Sequence, residues 1–173
     1  MASKIEQDLL ETENYLGSVK VSIPIIRLSR GKKGPALVVM AAQHGRELNG
    51  IEVIRQIIPD IRENLLRGSC ILVPCANPIA VRMRQQDYPF ENGRYLSNLP
   101  SFNMNRVWPG KADGDVHEAI AYTLWKNLIS RSDVVIDLHG WTDMSHSLVW
   151  GRRHDEELVR AFGLEAHMIK EES

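Results

Sequence analysis

The feature that most constrains the fold of this 173-residue chain is a pair of short, uninterrupted apolar runs. They read ALVVMAA over residues 36–42 and CILVPCA over residues 70–76. Such runs are typical of strands buried on both faces of a sheet that helices cover. Between them, five apolar residues recur on one helical face: Ile51, Ile54, Ile58, Ile61 and Leu65. Residues 36–76 therefore predict a strand, a helix and a parallel strand in one crossover unit.

The helix of this unit contains Pro59, which predicts a kink or a split, and Gly68 is expected to end it. Before the unit, residues 19–28 alternate apolar and polar side chains and predict a strand. Pro24 within that strand indicates an edge position in the sheet. The polar residues 1–16 predict a short amphipathic helix or a frayed tail.

The second half of the chain begins with an irregular stretch, residues 77–114, that is too long for an ordinary connection. Its aromatic residues, including Trp108, favour packing over disorder. Asp115 with Glu118 forms a capping-box pattern, which predicts a helix to about residue 130. Three more elements are predicted: a third buried strand at 133–138, a fourth strand at 147–151 and a short helix at 154–162.

The composition excludes several classes of protein. With 21 basic and 22 acidic residues, the chain has neither the charge of a nucleic-acid-binding protein nor a polybasic membrane patch. Cys70 and Cys75 cannot form a disulfide framework and are expected to be reduced, buried thiols. We see no signal peptide and no apolar run long enough to cross a membrane. The sequence therefore predicts a globular, cytoplasmic protein that binds neither nucleic acid nor membrane.

Three polar residues follow the predicted buried strands. His44 and Glu47 follow the first strand, and His139 follows the third. Because ligands bind outside the carboxyl ends of strands in open α/β sheets, we expect these side chains to meet. Two imidazoles and one carboxylate suit Zn²⁺ and leave one coordination position open, which is typical of catalytic zinc. Asp137 either orients a ligand histidine or caps the end of the sheet, and His117 is expected to be structural or exposed.

Four segments resemble the succinylglutamate desuccinylase/aspartoacylase family of the zinc carboxypeptidase superfamily. They are His44–Gly50, Asn77–Ala80, Asn103–Gly110 and Asp137–Gly140. The resemblance implies an α/β fold with a mixed, largely parallel sheet flanked by helices. It also implies that residues 1–173 form one zinc carboxypeptidase-like catalytic domain, the N-terminal part of the family fold.

The same resemblance implies roles for individual residues. His44, Glu47 and His139 match the ligands of one zinc ion per chain. Asn105 and Arg106 match a pair that holds the substrate carboxylate, which an arginine fork can grip with two parallel hydrogen bonds. The arginine that polarises the scissile carbonyl in the family falls, by counting, at Gln86. We therefore favour a neighbouring arginine, Arg84, over Arg82 and Arg94.

The expected function is a zinc-dependent hydrolase that cleaves an amide bond next to a free carboxylate in a small molecule. An N-acyl amino acid deacylase and a small-peptide carboxypeptidase both fit. The alternative is a non-catalytic module that binds zinc or a carboxylate.

The general base of the superfamily is a glutamate on a late strand, and none of the acidic residues after His139 matches it. They are Asp143, Asp155, Glu156, Glu157, Glu165, Glu171 and Glu172. We therefore expect a catalytic domain truncated after the third zinc ligand, or one completed by another chain or a second copy. Such a chain should bind zinc yet hydrolyse poorly, because general-base catalysis contributes about 10²–10⁴-fold.

Overall fold

A five-stranded mixed sheet organises residues 1–140 in the computed structural model, which describes residues 2–14, 20–85, 103–140 and 146–170. Its order is β1-β2-β4-β3-β5, where β3 is parallel to both of its neighbours and the other pairs are antiparallel. The strands are β1 (Lys4–Glu11), β2 (Ser22–Ser29), β3 (Ala36–Ala41), β4 (Ser69–Val73) and β5 (Val134–Leu138). The predicted class, a mixed sheet flanked by helices, is confirmed.

Helices cover both faces of this sheet. They are α1 (Asn49–Asn64), α2 (Pro78–Met83) and α3 (Val116–Asn127), with 3₁₀ turns at Met104–Arg106 and Ile129–Arg131. Adjacent residues of β3 point to opposite faces, and both are buried. Val38 packs in the core that contains Ile120 of α3, and Val39 packs in the core that contains Ile54 of α1. The predicted crossover unit and the capping box of α3 are therefore confirmed.

Two predictions for the N-terminal region are wrong. Residues 4–11 form neither a helix nor a tail, because β1 pairs with β2 along its whole length. That pairing places β2 inside the sheet, although Pro24 indicated an edge. The proline is tolerated because β2 pairs with β4 only over Ile26–Ser29. On the side of β2 that faces β4, residue 24 therefore needs no backbone N–H donor.

Two further expectations need correction. Helix α1 is not split at Pro59; it runs to Asn64 and so ends before Gly68. Pro59 and Arg55, whose carbonyl loses its helical partner, are both exposed, so water can take the place of the missing donor. Strand β5 is not buried on both faces: it pairs only with β3 among the described strands, and Val135 is 39% exposed.

Residues 141–173 form a separate compact unit. Two parallel strands, β6 (Leu148–Arg152) and β7 (Ala166–Lys170), are joined through a 3₁₀ turn (Arg153–Asp155) and helix α4 (Glu156–Ala161). The predicted fourth strand and short helix are confirmed, and β7 was not foreseen. The prediction that residues 1–173 form one catalytic domain stays a prediction.

Neither cysteine forms a disulfide. Cys70 is buried and Cys75 half-buried, and burial raises the pKa of both thiols to about 11. None of the helices in the described ranges has the length and apolar character that a membrane crossing requires.

We predict that Gly50→Ala destabilises the protein, although helix propensity alone favours alanine. A methyl group at residue 50 would lie 2.8 Å from the Ala41 Cβ and 3.0 Å from the Leu138 Cβ. Both atoms are fixed to the sheet backbone, so α1 would have to move, at a cost of about 1–3 kcal/mol. Urea unfolding measures this cost. Unchanged or higher stability would show that α1 does not press on the sheet at this point.

Candidate metal centre

The site begins where the chain leaves β3. Ala42 adopts a left-handed conformation (φ 57°), which turns the chain over the carboxyl edge of the sheet. The turn is held from the end of β4, since the backbone N–H groups of Ala76 and Asn77 donate to the carbonyls of Ala41 (2.8 Å) and Ala42 (3.1 Å). Left-handed backbone is costly for alanine and persists where the surroundings enforce it. The turn thus directs His44 back toward the sheet.

The Asn77–Ala80 motif fixes the loop that follows Ala42. The Asn77 side chain accepts from Ala80 N–H (3.1 Å), capping α2, and its Nδ2 donates to the Gln43 carbonyl (3.2 Å). Gly45 lies so close to α2 that a Cβ there would overlap the Ala80 carbonyl. Only glycine permits this approach, so Gly45 allows α2 to seal the loop that carries His44.

The predicted ligand residues come together at this edge. His44 Nδ1 lies 2.8 Å from Glu47 Oε1, and His139 Nδ1, just beyond β5, lies 2.9 Å from Glu47 Oε2. The candidate ligand atoms of the three residues lie within 4.8 Å of one another. The backbone N–H of Gly140 also donates to Glu47 Oε2 (2.9 Å). One buried carboxylate therefore faces two imidazoles, each through its Nδ1 atom.

The outer nitrogens of both rings are also held. His44 Nε2 lies 3.2 Å from Asn103 Oδ1, and His139 Nε2 lies 2.6 Å from Asp137 Oδ2. The Asn103 atom is identified as oxygen because it also accepts from Asn105 N–H (2.9 Å). Both outer partners are acceptors, so each Nε2 must donate. When a ring is neutral, its lone pair is therefore at Nδ1, the atom that a metal ion would bind; without a metal, the contacts of 2.8 and 2.9 Å with Glu47 require a proton on Nδ1.

The electrostatics of the cluster favour a cation. Burial acts to lower the pKa of His139, but the hydrogen bonds and charges of Asp137 and Glu47 outweigh it and raise the pKa to about 10. Burial likewise acts against protonation of His44, and its contacts with Glu47 still raise its pKa. The two carboxylates therefore stabilise positive charge at the imidazoles. This donor set, with nitrogen and oxygen ligands and fixed outer partners, fits a divalent transition metal.

Asp137 lies at the centre of a second set of contacts. Its Oδ2 accepts from His139 and also from Gln43 Nε2, while its buried Oδ1 has no hydrogen-bond partner in the described part of the chain. The other end of the Gln43 amide accepts from Trp108 Nε1 (3.1 Å). The contact with His139 is the one that the orienting alternative requires, and the role of Asp137 stays a prediction.

The predicted substrate residues are linked to the cluster through Asn103 and Arg46. Asn105 and Arg106 belong to the 3₁₀ turn that follows Asn103, and both are exposed; Arg106 Nη1 donates to the Asn105 carbonyl (3.2 Å). Arg84 ends α2 with φ 53° and is also exposed. Its carbonyl accepts from Arg46 Nε (3.3 Å), which places its backbone beside the His44–Glu47 loop.

Arg82 is exposed on α2, whereas Gln86 and Arg94 lie outside the described residues. The same is true of three acidic residues considered above, Asp143, Glu171 and Glu172. The other four acidic residues after His139 belong to the second unit: Asp155, Glu156, Glu157 and Glu165.

Sequence reasoning missed three residues of the site. Asn103 contacts His44, and Gln43 and Trp108 reach His139 through Asp137. Asn103 and Trp108 lie inside the Asn103–Gly110 motif, and Trp108 was expected only to pack. Gln43 directly precedes His44, and that adjacency was the available signal. His117 is buried, and its Nδ1 lies 3.3 Å from Asn77 Nδ2, behind the loop that carries His44.

A protein-family model described as the succinylglutamate desuccinylase/aspartoacylase catalytic domain matches residues 33–173. The chain belongs to this family. The matched range contains the His44–Glu47–His139 cluster. The predicted family membership is thereby confirmed.

Individual relatives support this assignment. N-alpha-acetyl-L-2,4-diaminobutyric acid deacetylase of Halomonas elongata is 34% identical over 119 residues, which are 69% of this chain and 32% of that protein. The crystal structure of an aspartoacylase family protein from Mesorhizobium loti matches with a TM-score of 0.81 and 26% identity, covering 95% of this chain and 52% of the other.

A succinylglutamate desuccinylase/aspartoacylase structure from Rhodobacter sphaeroides shares the fold at a TM-score of 0.74 and 21% identity, covering 98% and 52%. The chain thus spans about half the length of these solved structures and about a third of the deacetylase.

We predict that acid destabilises the metal-free protein partly through His117. Burial lowers its pKa from 6.5 to about 4, so between these values the unfolded chain binds a proton that the folded chain rejects. Stability must therefore fall as the pH drops from 6.5 to 4, by at most about 3 kcal/mol from this group.

Urea unfolding in chelator at pH 7 and pH 4.5 tests this expectation. His117→Gln should lose less stability between the two pH values than the wild-type protein does. His154→Gln, which changes an exposed histidine, should lose as much as the wild type. Equal losses in all three proteins would show that His117 titrates normally.

Proposed function

We propose that the chain carries the metal-binding site of a zinc-dependent amide hydrolase that cleaves an acyl group from a small molecule with a free carboxylate. The observation that carries the proposal is the His44–Glu47–His139 cluster, in which both Nδ1 atoms converge on one carboxylate and both Nε2 atoms are already held. The family assignment supports amide hydrolysis. The deacetylase relative favours an N-acyl amino acid over a peptide as substrate.

Zinc bound at this cluster would polarise a carbonyl and lower the pKa of water, which are the two needs of amide hydrolysis. His44, Glu47 and His139 would hold the ion, and Asn103 and Asp137 would keep both imidazoles in the ligating tautomer. Gly140 N–H fixes the Glu47 carboxylate. A shell this well anchored costs little reorganisation when the metal binds.

Substrate binding would use residues on two sides of the cluster. Asn105 and Arg106 are exposed on a 3₁₀ turn that directly follows Asn103, and Asn103 contacts His44. A carboxylate bound at this turn would therefore lie beside the metal. We propose Arg84 as the group that polarises the substrate carbonyl. Its backbone carbonyl accepts from Arg46, and Arg46 lies in sequence between the ligand residues His44 and Glu47. The cytoplasmic location stays a prediction.

We expect one Zn²⁺ per chain, with His139→Ala weakening Zn²⁺ binding beyond the roughly 10–100-fold cost of losing an outer-shell partner. The reason is that the described cluster has no fourth protein ligand to replace the lost imidazole. Metal analysis after dialysis and chelator competition give the stoichiometry and the affinity. His167→Ala, at an exposed histidine of β7, is the matched control and should bind like the wild type. Full stoichiometry and affinity in His139→Ala would exclude this site.

We expect Arg106→Lys to bind an N-acetyl amino acid about 10–100-fold more weakly, since the ammonium keeps the charge but loses the two parallel hydrogen bonds. Arg131→Lys, on an exposed 3₁₀ turn, is the control. Amidation of the ligand carboxylate should weaken binding to the wild type by a similar factor and should affect Arg106→Lys much less.

Equal binding of the acid and the amide by the wild type would contradict this role for Arg106. Hydrolysis is scored with the same compounds. A chain that binds both Zn²⁺ and the acid but never cleaves an amide would fit either the non-catalytic binding module or a catalytic domain that lacks its general base.

A further inference from the structure

Residues 103–108 touch the outer side of the metal centre twice. We call them the 103–108 segment; they comprise Asn103, the 3₁₀ turn Met104–Arg106, Val107 and Trp108. Its first residue contacts His44 directly. Its last residue reaches His139 through two intervening side chains. The two candidate histidine ligands follow different strands, β3 and β5. This one segment therefore reaches both histidines.

The direction of the hydrogen bond between Asn103 and His44 is fixed. Asn103 Oδ1 accepts from the backbone N–H of Asn105 (2.9 Å), so the oxygen, not the amide nitrogen, faces His44 Nε2 at 3.2 Å. A ring that donates from Nε2 keeps its lone pair at Nδ1. Asn103 therefore selects the tautomer in which His44 can bind a metal through the atom that faces Glu47.

The path to His139 also has only one possible direction. Indole N–H can only donate, so Trp108 Nε1 donates to Gln43 Oε1 (3.1 Å), and the opposite end of that amide is the donor Nε2. This donor contacts Asp137 Oδ2, the same oxygen that holds His139 Nε2. Trp108 thus fixes Gln43, and Gln43 supplies the second bond that orients the Asp137 carboxylate toward the ring.

The segment is itself rigidly mounted. Met104 is 1% exposed and packs in the core with Ile120 and Leu124 of α3. Val107 and Trp108 pack against the same core. Beyond the segment, Lys111 N–H donates to the Glu118 carbonyl of α3 (3.1 Å). A rigid mount of this kind can hold two side chains in a metal-binding orientation before the metal arrives.

We propose that the 103–108 segment positions both metal-binding histidines, Asn103 acting on His44 and Trp108 acting on His139 through Gln43 and Asp137. The inference rests on the proposed metal site. It assigns Gln43, Asn103 and Trp108 as positioning residues, and it gives Trp108 a polar function in addition to packing.

The test measures the dissociation constant for Zn²⁺ alone by chelator competition. Asn103→Leu and Gln43→Met should each weaken binding about 10–100-fold, the range for outer-shell partners of metal ligands. Trp108→Phe keeps the ring and loses only the N–H, so we expect a smaller loss of about 3–10-fold. Asn103→Asp keeps the acceptor oxygen and should bind within about 3-fold of the wild type.

A double variant separates positioning from packing. If Trp108 acts through Gln43, then Gln43→Met with Trp108→Phe should bind Zn²⁺ no more weakly than Gln43→Met alone. A loss that is purely structural would instead add to the first. The controls are Trp125→Phe, at a 40%-exposed tryptophan of α3, and Gln56→Met, at an exposed glutamine of α1. Both should bind like the wild type.

The visible spectrum of the Co²⁺ complex gives a second readout that is independent of activity. Gln43→Met and Asn103→Leu should change its absorption bands, and the two controls should not. Wild-type Zn²⁺ affinity in both Trp108→Phe and Asn103→Leu, or additive losses in the double variant, would overturn the inference and leave the proposed function standing. Failure of the wild-type chain to bind Zn²⁺ would overturn both.

Discussion

The site depends on one shared carboxylate. Glu47 is only 8% exposed, and its two oxygens face His44 Nδ1 and His139 Nδ1. A buried carboxylate is costly unless cations or donors compensate it. In the metal-free protein, protonated imidazoles, whose pKa values are raised by Glu47, and the Gly140 N–H provide that compensation. Much of the local structure serves this arrangement: the left-handed turn at Ala42, the closure of α2 over Gly45 and the close approach of α1 at Gly50.

The sheet order explains why these residues meet. The paired residues Val39 of β3 and Ile136 of β5 are 97 residues apart in sequence, yet the two strands are adjacent and parallel, so both end at one edge of the sheet. Residues that follow the two strands therefore converge without any long-range reach of the side chains. Asp137, the next-to-last residue of β5, stays in the ladder opposite Met40. Its carboxylate is consequently held by the sheet, which makes it a stable support for His139.

Sequence patterns predicted the parts of the molecule that local chemistry determines. Short apolar runs placed β3 and β4, and the Asp115–Glu118 capping box placed α3. Polar residues after two strands placed the cluster. The patterns failed where strand pairing determines the structure. The polar β1 is a strand because it pairs with β2 along its whole length. Pro24 is tolerated inside the sheet because β4 pairs with β2 only over Ile26–Ser29. Gln43, Asn103 and Trp108 were missed because their partners are distant in sequence.

The side chains of the cluster are negatively charged overall when both histidines are neutral. Among the described residues, Glu47 and Asp137 are the carboxylates in contact with the imidazoles, so with both histidines neutral these four side chains have a formal charge of −2. Within the described ranges, the outer donors and acceptors Gln43, Asn103 and Trp108 are all neutral and add no charge to this set. A lysine at residue 43 would pair with Asp137 and reduce the attraction for a cation. Neutral partners instead orient the ligands while preserving a charge that a divalent metal ion can balance.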